Sequence, residues 1–275
     1  RDGLSDILDM YYRVRGGRDA FEANPGFIVY LEPTTPLLHS KAAMEKLIFA
    51  AERRIPAIYT PCPILGATAP VTLAAALALS VAEFLVGMVV AQLRRAGAPL
   101  IMGGVASPMD MRTMVLTYGS PELHLLSAAL TDIAHWMKVP VFSTAGCSDS
   151  KCLDQQAAIE AALSIMAAGL SGANLIHDVG FLESALIGSL EMVVLSDEVV
   201  GMVKRFLSGV RVNEATLALD LIREAGPGGN FLAHEHTAEN MRRELWFPKL
   251  MDRSQYPVWQ AAGSKPEALV DLGGE

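Results

Sequence analysis

Residues 27–36 read FIVYLEPTTP. Five apolar residues, β-branched and aromatic among them, follow a Pro25-Gly26 break and end at Glu32, the pattern of a short buried strand. What comes next decides the fold. An open, doubly wound sheet carries a glycine-rich phosphate loop after its first strand, but here the chain runs into Pro33-Thr34-Thr35-Pro36. Outward from this stretch the same unit recurs. Strand-like runs stand at 56–60 (PAIYT), 99–104 (PLIMGG), 139–144 (VPVFST) and 173–178 (ANLIHD), with helical patterns at 41–53, 72–95, 122–137 and 154–170 between and beside them. Strands alternating with helices make parallel βαβ units, and strands without polar alternation are covered on both faces. The expectation is an α/β barrel forming one domain over residues 1–275, with its earliest strands outside this sequence. After residue 188 the pattern is helical, at 189–207, 213–224 and 238–250, with one short strand at 230–233.

Composition narrows the function classes. Hydrophobic residues make up 51% and charged residues 19% of the 275, enough for a large core and unlike a disordered chain. A net charge of -8 without a basic stripe argues against nucleic acid, whose phosphates require clustered Lys and Arg. Three cysteines make no disulfide framework and point to a reducing, cytoplasmic setting. Residues 71–92 are long and apolar enough to cross a bilayer, but the run is Ala-rich and carries Glu83 at mid-length, where a charge in lipid is costly. A buried helix is expected, and no membrane. The chain begins at Arg1, and Arg13, Arg15 and Arg18 precede no apolar leader segment, so the sequence is read as part of a longer protein without a signal peptide.

The segments after the strands concentrate Gly, Pro, Ser, Thr, Asp and His, and in barrel enzymes the active site is built there. His177 ends the fifth run, a place where it can hydrogen-bond substrate or act as a base. Asp149 and Lys151 form a charged cluster in AGCSDSKCLD, although Asp149 can equally cap the following helix, and for Asp154 the cap is the better reading. Tyr30, Tyr59, Tyr118, Phe142 and Phe181 lie in or just after strands, where an aromatic wall would suit a quaternary ammonium and plain packing is the alternative for each. Arg112 can pair a substrate carboxylate or hold Asp110 locally. His234-Glu235-His236 lacks the further ligands zinc requires, and the cysteines show no metal spacing, so no metal is expected.

Taken together, FIVYLEPTTPLLHS (27–40), IPAIYTPCPILGATAPVTLA (55–74), ASPMDMRT (106–113), TYGSPE (117–122), STAGCSDSKCLDQQA (143–157), ANLIHDVGFLES (173–184), SLEMVVLSDE (189–198) and GPGGNFLAHEHT (226–237) resemble the trimethylamine methyltransferase, or MttB-like, family across nearly the whole chain. The resemblance implies a TIM (β/α)8-type barrel. It also implies methyl transfer from a tertiary or quaternary amine, such as trimethylamine or glycine betaine, to the Co(I) form of a corrinoid. The corrinoid (cobalamin) would be supplied by a separate corrinoid protein that docks at the barrel mouth, and this chain would bind no cofactor itself. Archaeal members use pyrrolysine; no non-standard residue is written here, which places the chain in the non-pyrrolysine branch and favours a betaine-like amine, with residues 148–154 as the guessed pyrrolysine-equivalent loop. His177, Glu32, Asp149, Lys151 and Glu183 are the catalytic candidates, Tyr30, Tyr59, Arg112 and Phe181 the substrate-binding ones, and a homo-oligomer is expected. A non-catalytic binder of small quaternary amines is the alternative, and a barrel lyase or aldolase with Lys151 as Schiff-base amine a third.

Overall fold

The computed structural model describes residues 2–263. Backbone contacts divide the chain into two compact units, Arg1–Val193 and Val194–Glu275. The first opens with two helices, α1 (Asp2–Arg15) and α2 (Arg18–Ala23), which the sequence reading did not foresee. Then come β1 (Val29–Leu31), α3 (Lys41–Glu52), β2 (Ala57–Tyr59), β3 (Ile64–Leu65), α4 (Leu73–Arg94), β4 (Leu100–Gly103), β5 (Ser107–Asp110), β6 (Val115–Leu116), α5 (Pro121–Trp136), β7 (Val141–Thr144), α6 (Gln155–Ser171), β8 (Leu175–His177), β9 (Phe181–Leu182) and β10 (Ile187–Gly188), followed by α7 (Leu190–Leu207). The five strands and four helices expected over residues 27–178 are all present, with ends within two residues of those expected. Local chemistry starts and stops them. Ser40 accepts from Ala43 N at 3.2 Å at the head of α3. Asp154 does the same for Ala157 N at 2.9 Å and caps α6, which ends at Gly172 in the left-handed region.

Strands β1, β2, β4, β7 and β8 form one sheet in that order, every pair parallel. The order follows the chain and never reverses, as a doubly wound sheet would require. Alternate residues of a strand face opposite sides. Leu31, Tyr59, Met102 and Val141 face the helices and join Leu47, Phe49, Phe84, Leu130 and Ala134 in the main core. Helix α4 lies close over this layer because position 87 is glycine: a Cβ there would meet the Tyr59 ring at 2.5 Å. That helix is long and apolar enough to cross a membrane by length and composition, yet it covers the sheet. Its Glu83 is fully buried and accepts from Thr35 Oγ1 at 2.9 Å and Leu37 N at 2.5 Å, so the charge pins the loop after β1.

The second unit holds most of α7, then α8 (Glu214–Leu217), α9 (Leu219–Ala225), α10 (Glu235–Glu244) and α11 (Tyr256–Ala261). Three expectations need correcting here. Residues 213–224 are not one helix, because Ala218 takes a left-handed φ of 46° and breaks it. Residues 230–233 form no strand, and 232–233 lie in a turn. The helix expected at 238–250 starts earlier and ends at Glu244. His234 is its cap, with Nδ1 accepting from His236 N at 3.1 Å, which accounts for the His-Glu-His motif without a metal.

Candidate functional site

The face of the sheet turned away from the helices carries the chemistry. Tyr30 on β1, Phe142 and Thr144 on β7 and His177 on β8 all point to it. Phe142 and His177 are stacked, with centroids 4.0 Å apart and planes at 13°. Tyr30 lies 6.0 Å from Phe142 and 6.1 Å from His177. Neighbouring strands sit ~4.8 Å apart, so in a flat sheet β1 and β8 would be separated by roughly 19 Å. The sheet therefore curls strongly, and its first and last strands bring their rings together on the concave side.

Polar groups border these rings. The Tyr30 hydroxyl donates to Glu32 Oε1 at 2.7 Å, and the Cys62 thiol to the same oxygen at 3.5 Å. Burial, then the neighbouring Cys62 and Glu32, push the Tyr30 hydroxyl pKa far up, so it stays a neutral donor. Across the face, Asp178 contacts His177 Nδ1 through Oδ1 at 2.6 Å and accepts from Thr144 Oγ1 through Oδ2 at 2.8 Å. Burial raises the pKa of both Cys62 and Cys147, with Glu32 adding at the first and Asp178 at the second. Neither thiol is a ready thiolate nucleophile, and Cys147 donates to Asp178 O at 3.0 Å. Tyr118 joins the same group: burial first, then the charge of Asp178, raises its pKa, with Cys147, Cys62 and Glu32 contributing.

Asp149 works at one remove. Its Oδ1 accepts from Tyr118 N at 2.7 Å and Ser184 Oγ at 3.0 Å, and its Oδ2 from Gly119 N at 2.9 Å. It ties together the segments after β6, β7 and β9. Glu160 supports it from α6, accepting from Ser148 Oγ at 2.5 Å and Asp149 N at 2.8 Å. The loop it clamps is strained, because Glu183, Ser184 and Ala185 all have positive φ (47°, 53° and 71°).

The structure thus brings Tyr30, Glu32 and His177 together. It sets Asp149, Lys151 and Glu183 around a neighbouring cleft of about 440 Å³ that Asp110 and Ser184 also line. Lys151 is exposed and donates to Asp149 O at 2.8 Å, unlike the desolvated amine a Schiff base needs. Phe181 stands on β9, 37% exposed. Two expected substrate contacts have partners within the chain. Tyr59 points to the opposite face, fully buried in the core, and its hydroxyl meets His39 Nδ1 at 2.7 Å. Arg112 is paired with Asp110 by two bonds of 3.2 and 2.9 Å at an open hairpin turn, and this pairing holds the Asp110 pKa down to about 2. Asp178 and Thr144 were not named as site residues. The signal was available: Thr144 lies two residues beyond Phe142, hence on its face, and pairs in register with His177. Among the described residues no three His, Cys, Asp or Glu side chains group to hold a metal ion.

A family model described as trimethylamine methyltransferase (MTTB) matches residues 2–269. The chain is 36% identical over 260 residues to a glycine betaine methyltransferase of Desulfitobacterium hafniense strain Y51, covering 94% of this chain and 54% of that protein. It is 36% identical over 259 residues to a trimethylamine methyltransferase MttB of the DCB-2 strain of the same species, covering 94% and 52%. With a trimethylamine methyltransferase MttB of Methanosarcina thermophila it shares 35% identity over 265 residues, covering 96% and 54%. The chain spans about half the length of the curated relatives it matches.

Proposed function

Because this chain belongs to the trimethylamine methyltransferase family, we propose that its curled sheet is part of a TIM-type barrel whose mouth seats a methylated amine for methyl transfer to the cobalt of a corrinoid. The observation that carries this is the meeting of Tyr30, Phe142 and His177 on the concave face, beside the carboxylates of Glu32 and Asp178. Aromatic faces attract a methylated ammonium through their quadrupoles, and desolvation strengthens the attraction to about 2 kcal/mol. Carboxylates add long-range attraction for the same charge.

In the transfer, the C–N bond breaks with its electron pair left on nitrogen as the methyl carbon bonds to cobalt(I). The corrinoid is assigned to a separate partner protein, so this chain supplies no cobalt ligand. Its own residues hold the ammonium still, aim one methyl group outward and keep water away, which are effects of position and electrostatics. The relatives' names include both a glycine betaine and a trimethylamine enzyme, and the proposal covers tertiary and quaternary amines alike. With Arg112 occupied by Asp110, a betaine carboxylate would need another partner. A cytoplasmic, oligomeric enzyme belongs to the same proposal.

The test mixes the full-length natural protein with a reduced corrinoid protein and a panel of methylated amines. Conversion of the Co(I) spectrum to methyl-Co(III) with at least one amine is expected. Calorimetric binding of amines without any methylation would instead make this a binding protein.

A further inference from the structure

His177 has its two ring nitrogens in different settings. Nδ1 lies 2.6 Å from Asp178 Oδ1. Nε2 is buried and has no hydrogen-bond partner among the described residues. Asp178 can reach back to the adjacent ring because its backbone is left-handed, with φ 70°, a conformation Asp adopts more readily than most residues. Its second oxygen accepts from Thr144 Oγ1 at 2.8 Å, which fixes the plane of the carboxylate. The ring plane is fixed in turn by Phe142, stacked at 4.0 Å. An ionised carboxylate only accepts hydrogen bonds, so the contact at Nδ1 needs a hydrogen on that nitrogen. The hydrogen bond made by one ring nitrogen then sets the state of the other.

We infer that Asp178, braced by Thr144, is a positioning residue that holds His177 with its hydrogen on Nδ1, so that Nε2 meets a bound ligand as a hydrogen-bond acceptor. The inference rests on the reading above that a cationic ligand occupies this face. It separates two kinds of cation. A protonated tertiary amine has an N–H to give to Nε2, whereas a quaternary ammonium has none and gains only from the ring faces. Asp178→Asn reverses the arrangement. With Thr144 still donating to the amide oxygen, the amide NH2 faces Nδ1 and the imidazole hydrogen moves to Nε2.

The experiment uses the full-length natural protein with 15N-labelled histidine, His177 being assigned by the signal lost in His177→Gln. Native His177 is expected to show a protonated-type shift at Nδ1 and an unprotonated one at Nε2, and Asp178→Asn to exchange them. The probes are trimethylammonium chloride and tetramethylammonium chloride. Asp178→Asn removes a negative charge that both cations feel, so both should weaken, and the first should lose on the order of tenfold more than the second, the worth of a hydrogen bond to a charged partner. A native imidazole with its hydrogen on Nε2, or on both nitrogens, overturns the inference, as does an equal loss of both probes. The native shifts decide the matter even if the variant does not fold. Failure of both probes to bind the native protein would count against the ligand reading, while the shifts would still judge the role of Asp178.

Discussion

Asp149→Ala separates a loop clamp from a helix cap. The carboxylate accepts three hydrogen bonds, from Tyr118 N, Gly119 N and Ser184 Oγ, at 2.7 to 3.0 Å. A bond to a charged group contributes about 1.5–3 kcal/mol, so three taken at face value would approach 4.5–9 kcal/mol. The three donors belong to half-buried residues, and water entering the space left by the carboxylate recovers much of that. A loss of roughly 3 kcal/mol remains, against about 1 kcal/mol for a helix cap. For a unit of this size that lowers Tm by about 6–12 °C. Circular dichroism melts give the shift, and amide exchange followed by mass spectrometry locates it: residues 117–119 and 183–185 should lose protection first. Asp149→Asn, which keeps one acceptor oxygen, should fall between. A Tm within about 2 °C of native, with exchange at 117–119 unchanged, would refute the clamp.

Three further outcomes are expected. Burial lowers the His124 pKa below its ordinary 6.5, with Glu160 and Asp149 opposing in part. The unfolded chain therefore takes up a proton that the folded one resists, and stability falls as pH drops below 6.5. His124→Leu should shrink the Tm difference between about pH 7.5 and about pH 5.5, and an unchanged difference would contradict this. Gly87→Ala drives a Cβ into the Tyr59 ring, 2.5 Å away, and should cost about 1–3 kcal/mol by denaturant titration; a neutral result would mean that α4 is free to lift. Tyr30→Leu removes one ring from the concave face and should weaken tetramethylammonium binding by roughly 2- to 30-fold in calorimetry, the range set by about 0.5–2 kcal/mol.

The strands of the main sheet were legible because each is an apolar run between breakers, and their unreversed order agrees with the absence of a phosphate loop after residue 32. Which face a strand residue takes was not legible. Tyr30 and Tyr59 sit alike in apolar runs, and a sheet buried on both sides shows no alternation to tell them apart. Only the register, which pairs Tyr30 with Ile58, puts Tyr59 on the opposite face. The clamp made by Asp149 reaches 31 residues back to Tyr118, a contact that no local pattern announces. At Arg112 the partner lies two residues away, and the local alternative was visible in the sequence itself. The break at Ala218 carries no glycine signal, so helical periodicity read straight through it. Helix α1 had a usable signal, since Leu4, Leu8, Tyr11 and Tyr12 follow helical spacing and pack into the main core.

The most direct measurement records NOEs between the methyl protons of tetramethylammonium and the ring protons of selectively labelled tyrosine and phenylalanine in the full-length natural protein. The account predicts cross-peaks to Tyr30 and Phe142, assigned by their loss in Tyr30→Leu and Phe142→Leu. Binding with cross-peaks only to rings remote from the concave face would contradict it.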